Sequence, residues 1–364
     1  MTISLRADPA SAAGRSEQMA PLTIVLGTGR CGSTMLSDLV NEHREVLSLS
    51  EFFACLDPWG FSAGELDGPA FWHLLSTPRL KPNTLMRKGV TVPEYRYPLG
   101  SGRYAAGSVP ALSVMTLPPL TDDPDAMLDS IRDEVTGWPV APLPRQYLRL
   151  FVWWASFLGR EVVIERSGAA QRFLPDLLTY FPEARFVHMY RHGPDCAVSM
   201  SRHPIFRLAV KIREMRKILG VDPYAVHDPG HPDRLPEELR VFAPDTLDAS
   251  ALAGADLPLE RFGTMWSYST GAVKHLAGLP EHRLLHISYD RIVADPVPEL
   301  TRFGRFTGIP EPAAWAVRVA GRVDAGRTGA AAALSLEQTE ELRRSCAPGM
   351  DRLAAFVGGR PPAA

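Results

Sequence analysis

The chain has 364 residues, enough for one large α/β domain or two smaller ones around a sizeable core. Its composition is ordinary for a globular protein. A net charge of −2 argues against a general affinity for nucleic acid or an anionic membrane surface, so any anion binding must come from local cations. The four cysteines, Cys31, Cys55, Cys196 and Cys346, show no C-x-x-C spacing and no companion His at zinc spacing, which reads as reduced thiols.

Residues 1–19 lack an apolar core of signal-peptide length and read as a flexible tail. No later run approaches membrane-spanning length, so the expectation is a cytoplasmic protein without stable membrane insertion. The main signal follows in residues 21–40. Leu22 to Leu26 is a short apolar run, Gly27 to Thr34 a glycine-rich turn, and Met35, Leu36, Leu39 and Val40 recur at helical spacing. Strand, glycine turn and helix make the layout of a phosphate-binding loop, in which main-chain N–H groups and the helix N-terminus face an anion. The spacing Gly27-x4-Gly32 fits a triphosphate loop, but Ser33 stands where the lysine belongs and the cation is Arg30. A glycine turn that merely packs strand against helix would use the same residue types.

Val46 to Leu49 reads as a second strand with Glu51 at its end, where parallel sheets place functional groups. An acid beside Phe52 and Phe53 is either a surface residue or a carboxylate against an apolar wall, suited to general-base work. Residues 57–125 are rich in proline and glycine, with Tyr95, Tyr97 and Tyr104 among Arg96 and Arg103; they read as a lid or an irregular excursion without long elements. Helices are expected at 126–134 and, strongly apolar, at 144–158. A βαβ unit follows: strand 161–165, turn 166–168, helix 171–181 and strand 185–190. Arg191 ends that strand, and Ser199 lies eight residues on in the next helix. The two can converge on one anion, or Arg191 can pair with Asp195 structurally.

The stretch 204–240 contains a basic helix and then His227, His231 and Asp233, whose spacing fits no metal site. Residues 241–257 read as insertion, 259–276 as one long helix, 283–289 as a late strand and 290–307 as one helix. A basic glycine-rich loop runs from Gly321 to Gly329, with a helix at about 334–344 after it. Residues 358–364 read as a frayed end, and no internal repeat is present. The fold class expected is α/β: a central parallel β-sheet flanked by helices, P-loop NTPase-like, with insertions at about 57–125 and 204–257 covering the substrate side.

Two anion sites at sheet ends without a P-loop lysine resemble the PAPS-dependent sulfotransferase family. Gly27–Thr34 is similar to its 5′-phosphosulfate loop, and Arg191 with Ser199 to its 3′-phosphate motif. Ile164-Glu165-Arg166-Ser167 resembles a bacterial strand-end motif, and His286 to Pro310 a late run of the family. His192 departs from the Asp usual there, and Gly321–Gly329 only echoes the family's C-terminal loop. The resemblance implies one sulfotransferase domain over residues 20–357 that binds PAPS and releases adenosine 3′,5′-bisphosphate without a metal. Gly29, Arg30, Cys31, Gly32, Ser33, Thr34, Arg191, Ser199, Arg322 and Arg327 would hold the nucleotide. Glu51 and Arg30 would be catalytic, Glu51 as general base, with a small-molecule or lipid-like hydroxyl compound as acceptor. A small-molecule kinase with a degenerate loop, or a non-catalytic nucleotide-binding module, are the alternatives; oligomeric state and acceptor identity leave no signature.

Overall fold

The computed structural model describes residues 21–62, 64–324, 326 and 328–358. The expected tail at 1–19, the terminal residues 359–364 and Arg327 lie outside the described residues.

Five parallel strands form the main sheet: β1 (Thr23–Leu26), β2 (Val46–Ser50), β5 (Val162–Arg166), β6 (Arg185–Tyr190) and β7 (Leu284–Ser288). Their order is β2-β5-β1-β6-β7, so β1 sits centrally between β5 and β6 and the chain leaves it in both directions. In a doubly wound sheet such a reversal opens a crevice at the carboxyl ends of the strands. This is the expected class, a central parallel sheet flanked by helices. A two-stranded antiparallel pair, β3 (Glu65–Leu66) with β4 (Ala141–Pro142), stands apart.

Alternation along the strands divides the core. Ile24, Leu26, Leu47, Leu49, Val163 and Phe186 face one layer, built around Phe52, Phe53, Tyr147 and Phe151. Val25, Val46, Val162, Ile164, Val187 and Ile287 face the other, built around Trp266, Phe303 and Trp315. Both faces are covered, as an all-parallel sheet requires. The apolar helix Leu143–Phe157 supplies much of the first layer, though Leu148 and Phe157 point to solvent.

Four expected elements change. The helix expected over 171–181 opens as a 3-10 segment, Ala170–Phe173, and is α-helical only over Leu174–Tyr180. The helix expected over 259–276 is α-helical only through Ser269 and tightens to a 3-10 segment, Thr270–Leu276. The helix expected over 290–307 is two helices, Tyr289–Ala294 and Pro296–Thr307, because Pro296 lacks the N–H that would continue the first and sits instead in the opening turn of the second. The last helix is longer than expected, Leu336–Phe356. A capping box between Ser335 and Gln338 starts it, and it continues through Pro348 because Leu342, Cys346 and Leu353 pack into the second layer.

Among the described residues of 57–125 the helices are short: a 3-10 turn Trp59–Phe61, then Gly68–Ser76, Leu80–Arg87 and Ala111–Met115. They do not stand alone. Leu85 and Val92 share a satellite core with Leu208, Ile212, Met215, Tyr224 and Phe242, so the two insertions pack on each other. The basic helix Pro204–Leu219 is thus amphipathic, with Leu208, Ile212 and Met215 inward.

Candidate active site

All five main-sheet strands end at one edge, and the predicted residues of the loop, with Glu51, Arg191 and Ser199, lie there. The loop after β1 turns sharply: Gly29 has φ 82°, Arg30 φ 58° and Gly32 φ 87°. Left-handed backbone is costly for a side-chain-bearing residue such as Arg30, and it persists where surrounding structure enforces it, often at functional sites. Neither glycine has room for a methyl group. A Cβ on Gly29 would lie 2.5 Å from the Phe206 ring, and one on Gly32 would lie 2.1 Å from the Tyr289 ring. Helix Ser33–Asn41 then begins with no side chain capping its first turn. Its leading N–H groups and the positive end of its dipole therefore face the loop, the arrangement that receives an anion.

Three predicted cations and donors meet at this loop. Arg30 Nε donates to Ser199 Oγ at 3.1 Å, and Arg191 Nη1 donates to the Arg30 carbonyl at 3.2 Å. Arg191 also lies over the Tyr289 ring, 4.6 Å from its centroid, the same ring that covers Gly32. The Asp195 carboxylate accepts from His192 and, at 2.8 Å, from the Ala331 N–H. His192, which departs from the family pattern, is anchored through its own N–H by the Asp290 carboxylate at 3.1 Å.

Cys31 is fully buried, and burial pushes its thiol up against the opposing effect of bonds from Ser33. It packs under the loop toward Gly27 and is a filler, offering an anion only its backbone. Ser33 is buried and Thr34 half-buried in the first turn.

Glu51 lies at the end of β2, as expected, and is itself left-handed at φ 59°. It is almost wholly buried. One carboxylate oxygen pairs with Arg166 at the end of β5, and the other accepts from the Gly168 N–H at 2.8 Å. Arg166 also donates to Ser50 Oγ. A carboxylate has about four lone-pair sites, so both oxygens retain capacity for a further proton. Its neighbour Glu165 points into the first core layer, where burial pushes its carboxyl up to about 8 and Ser167 Oγ donates to it at 2.6 Å.

One predicted cation is not brought to the loop. Arg322 pairs with Glu42, just past the far end of helix Ser33–Asn41, and is more than half exposed. Nine residues of helix put that end about 13 Å from the loop. Arg327 lies outside the described residues. The C-terminal stretch still approaches through its backbone, since the Tyr289 hydroxyl donates to the Asp324 carbonyl at 3.4 Å.

The first insertion contributes a group that sequence reasoning missed. Glu94 accepts from Arg30 Nη1 at 3.0 Å and from His203 Nε2 at 3.0 Å. Burial would raise the Glu94 carboxyl, yet His203 and Arg30 together hold it at about 2. Next to it, burial pushes the Tyr95 hydroxyl up, and Cys55, Glu94 and Glu51 push it the same way, so both carboxylates are felt at Tyr95. Glu94 lies between Pro93 and Tyr95 in a stretch without periodicity, and only its acid character among aromatic and basic residues could have marked it. His227 and His231 pair with Asp245 and Asp228, and among the described residues no group of three or more His, Cys, Asp or Glu is placed to hold a metal.

No protein-family model matches the sequence, and no curated protein matches it. Solved structures similar to the chain include the sulfotransferase domain from the curacin biosynthetic pathway, at 13% identity and TM-score 0.45, covering 90% of this chain and 98% of that one. The sulfotransferase domain from the Synechococcus PCC 7002 olefin synthase is 17% identical at TM-score 0.43, covering 90% and 94%. A sulfotransferase from Alicyclobacillus acidocaldarius is 14% identical at TM-score 0.39, covering 93% and 95%.

Proposed function

We propose that the protein transfers a sulfuryl group from PAPS to a hydroxyl of a small-molecule or lipid-like acceptor, in the cytoplasm, with Glu51 as general base. The observation that carries this reading is the meeting of Arg30 with Arg191 and Ser199, from two segments far apart in sequence, at a glycine loop whose helix start is uncapped and which lacks a P-loop lysine. The residues suit a nucleotide with phosphate at both the 3′ and 5′ positions. The close-packed glycine cradle and Arg30 fit the 5′ side, and the fork of Arg191 with the Ser199 hydroxyl fits the 3′ side.

PAPS supplies the sulfuryl group and a leaving 5′-phosphate. In the transfer, the acceptor oxygen bonds to sulfur as the sulfur–oxygen bond to that phosphate breaks, and the acceptor proton passes to Glu51. Arg30, the loop amides and the helix dipole stabilise negative charge that grows on the leaving side. Arg166 and the Gly168 N–H fix the Glu51 carboxylate in one orientation, so the base is positioned before the acceptor arrives. Arg191 and Ser199 orient the donor and select against ordinary nucleoside triphosphates.

Calorimetry with adenosine 3′,5′-bisphosphate and with ATP tests the donor. Binding of the bisphosphate in preference to ATP is expected, and binding of ATP alone, with magnesium dependence, would instead mark a kinase. Incubation with PAPS and a cell extract, followed by mass spectrometry for products heavier by one sulfuryl group, tests the transfer and finds the acceptor.

A further inference from the structure

We infer that Glu94, carried by the first insertion, is an internal counter-anion seated on Arg30, and that the anionic group of the donor must displace it to bind. The inference rests on the proposed donor only for the identity of the nucleotide.

The geometry is specific. Arg30 has one edge on Ser199 through Nε and presents Nη1 to Glu94 at 3.0 Å, so a carboxylate already occupies the face a phosphosulfate would use. Glu94 is not a loose surface acid; its side chain is 15% exposed and it is held on the other side by His203, itself 7% exposed. His203 is also fixed. Its Nδ1 accepts from the Ile205 N–H at the start of helix Pro204–Leu219, which leaves Nε2 as the donor to Glu94. Phe206, one turn on, is the ring packed against Gly29. The counter-anion, its holder and the loop are thus mechanically joined, and they draw on both insertions as well as the sheet edge.

Arg30 cannot serve Glu94 and a donor anion at full strength together. Glu94 therefore lowers donor affinity while the site is empty and keeps the Arg30 guanidinium aimed. Once displaced, its carboxylate remains bonded to His203 beside the transfer site, so donor arrival alters the segment around Pro93–Tyr95 that borders the acceptor side. Glu94 is a positioning residue in this scheme, acting through Arg30.

The test measures binding of adenosine 3′,5′-bisphosphate and of inorganic pyrophosphate by calorimetry to the full chain and to Glu94→Gln. Glutamine keeps the shape and can still accept from His203. Removing a charge-assisted competitor is expected to tighten both ligands by roughly tenfold or more. In parallel, hydrogen exchange on the wild-type chain should show residues 90–96 exchanging faster, and residues 27–34 slower, when pyrophosphate is added; this second readout serves if the variant folds poorly. Unchanged or weaker binding by Glu94→Gln, or protection of 90–96 on binding, overturns the inference. Tighter pyrophosphate binding by the variant without any binding of the bisphosphate upholds the inference and overturns the proposed donor. Equal bisphosphate binding by both proteins does the reverse.

Discussion

Arg166, the last residue of β5, closes an ion pair with Glu51, the first residue past β2, and both are buried at the sheet edge. The strands are neighbours in register, with Ser50 opposite Arg166, so the pair is fixed by the sheet itself. The Glu51 N–H also donates to the Arg166 carbonyl, at 2.6 Å. A buried ion pair is not in itself a source of stability, because desolvation offsets the attraction. Its effect here is to hold a carboxylate in left-handed backbone with both oxygens aimed.

Replacing Glu51 by Gln separates binding from chemistry. The variant keeps the shape and the Gly168 contact but loses the proton acceptor and the charge paired with Arg166, so its stability is measured by urea denaturation alongside. Affinity for adenosine 3′,5′-bisphosphate should change little, while turnover with PAPS falls by roughly 10²–10⁴-fold. Unchanged turnover would remove Glu51 as the base and direct attention to His192 and His203.

The Arg191 and Ser199 pair predicts a graded loss of donor affinity. Arg191→Lys retains the charge but not the planar fork, nor the stacking on Tyr289, and should weaken the bisphosphate more than Ser199→Ala does. Loss of one hydroxyl donor to an anion should cost about tenfold in dissociation constant. ATP serves as comparison in the same titrations. If both variants bind the bisphosphate like the wild type, the 3′-phosphate does not lie at this pair.

Much of this edge was readable from sequence because its signals are local. Gly27–Thr34 declares itself through spacing, and Arg191 and Ser199 share one strand–turn–helix unit. Glu51 follows a short apolar run directly. What escaped is what the sheet joins across distance. Arg166 was visible only as part of a strand-end motif, because β2 and β5 meet only after more than a hundred intervening residues. Glu94 sits in a Pro-rich segment with no periodicity, and the core it shares with the second insertion comes from scattered residues such as Leu85, Val92 and Leu208. Arg322 had the right residue type in a glycine-rich loop, yet Glu42 at the far end of the loop helix is its partner. The break at Asp295-Pro296 was legible in principle, and the continuous apolar spacing on either side masked it.

Gly32 gives a structural prediction that also reports on the loop. An alanine there must hold φ near 87° and place its methyl group 2.1 Å from the Tyr289 ring, over which the Arg191 guanidinium lies. Left-handed backbone and overpacking each cost about 1–2 kcal/mol or more, so Gly32→Ala should lower the urea midpoint and weaken the bisphosphate together. A variant with normal stability and normal binding would show that the cradle is not tightly built.

Glu165 sets a pH dependence whose sign can be worked out. Its carboxyl is raised by burial to about 8 in the folded protein, against an ordinary value near 4.5. Between those values the native chain holds a proton that the unfolded chain has released, so stability falls as pH rises through that window, by up to about 1.4 kcal/mol per unit. Oε2 has no hydrogen-bond partner among the described residues, which a neutral carboxyl tolerates far better than a charged one. Glu165→Gln should therefore match the wild type near pH 4.5 and exceed its stability increasingly toward pH 8, as measured by urea denaturation across that range. Parallel pH profiles for the two proteins would mean that Glu165 is ionised in the folded state, held by Ser167 and the field of Arg166.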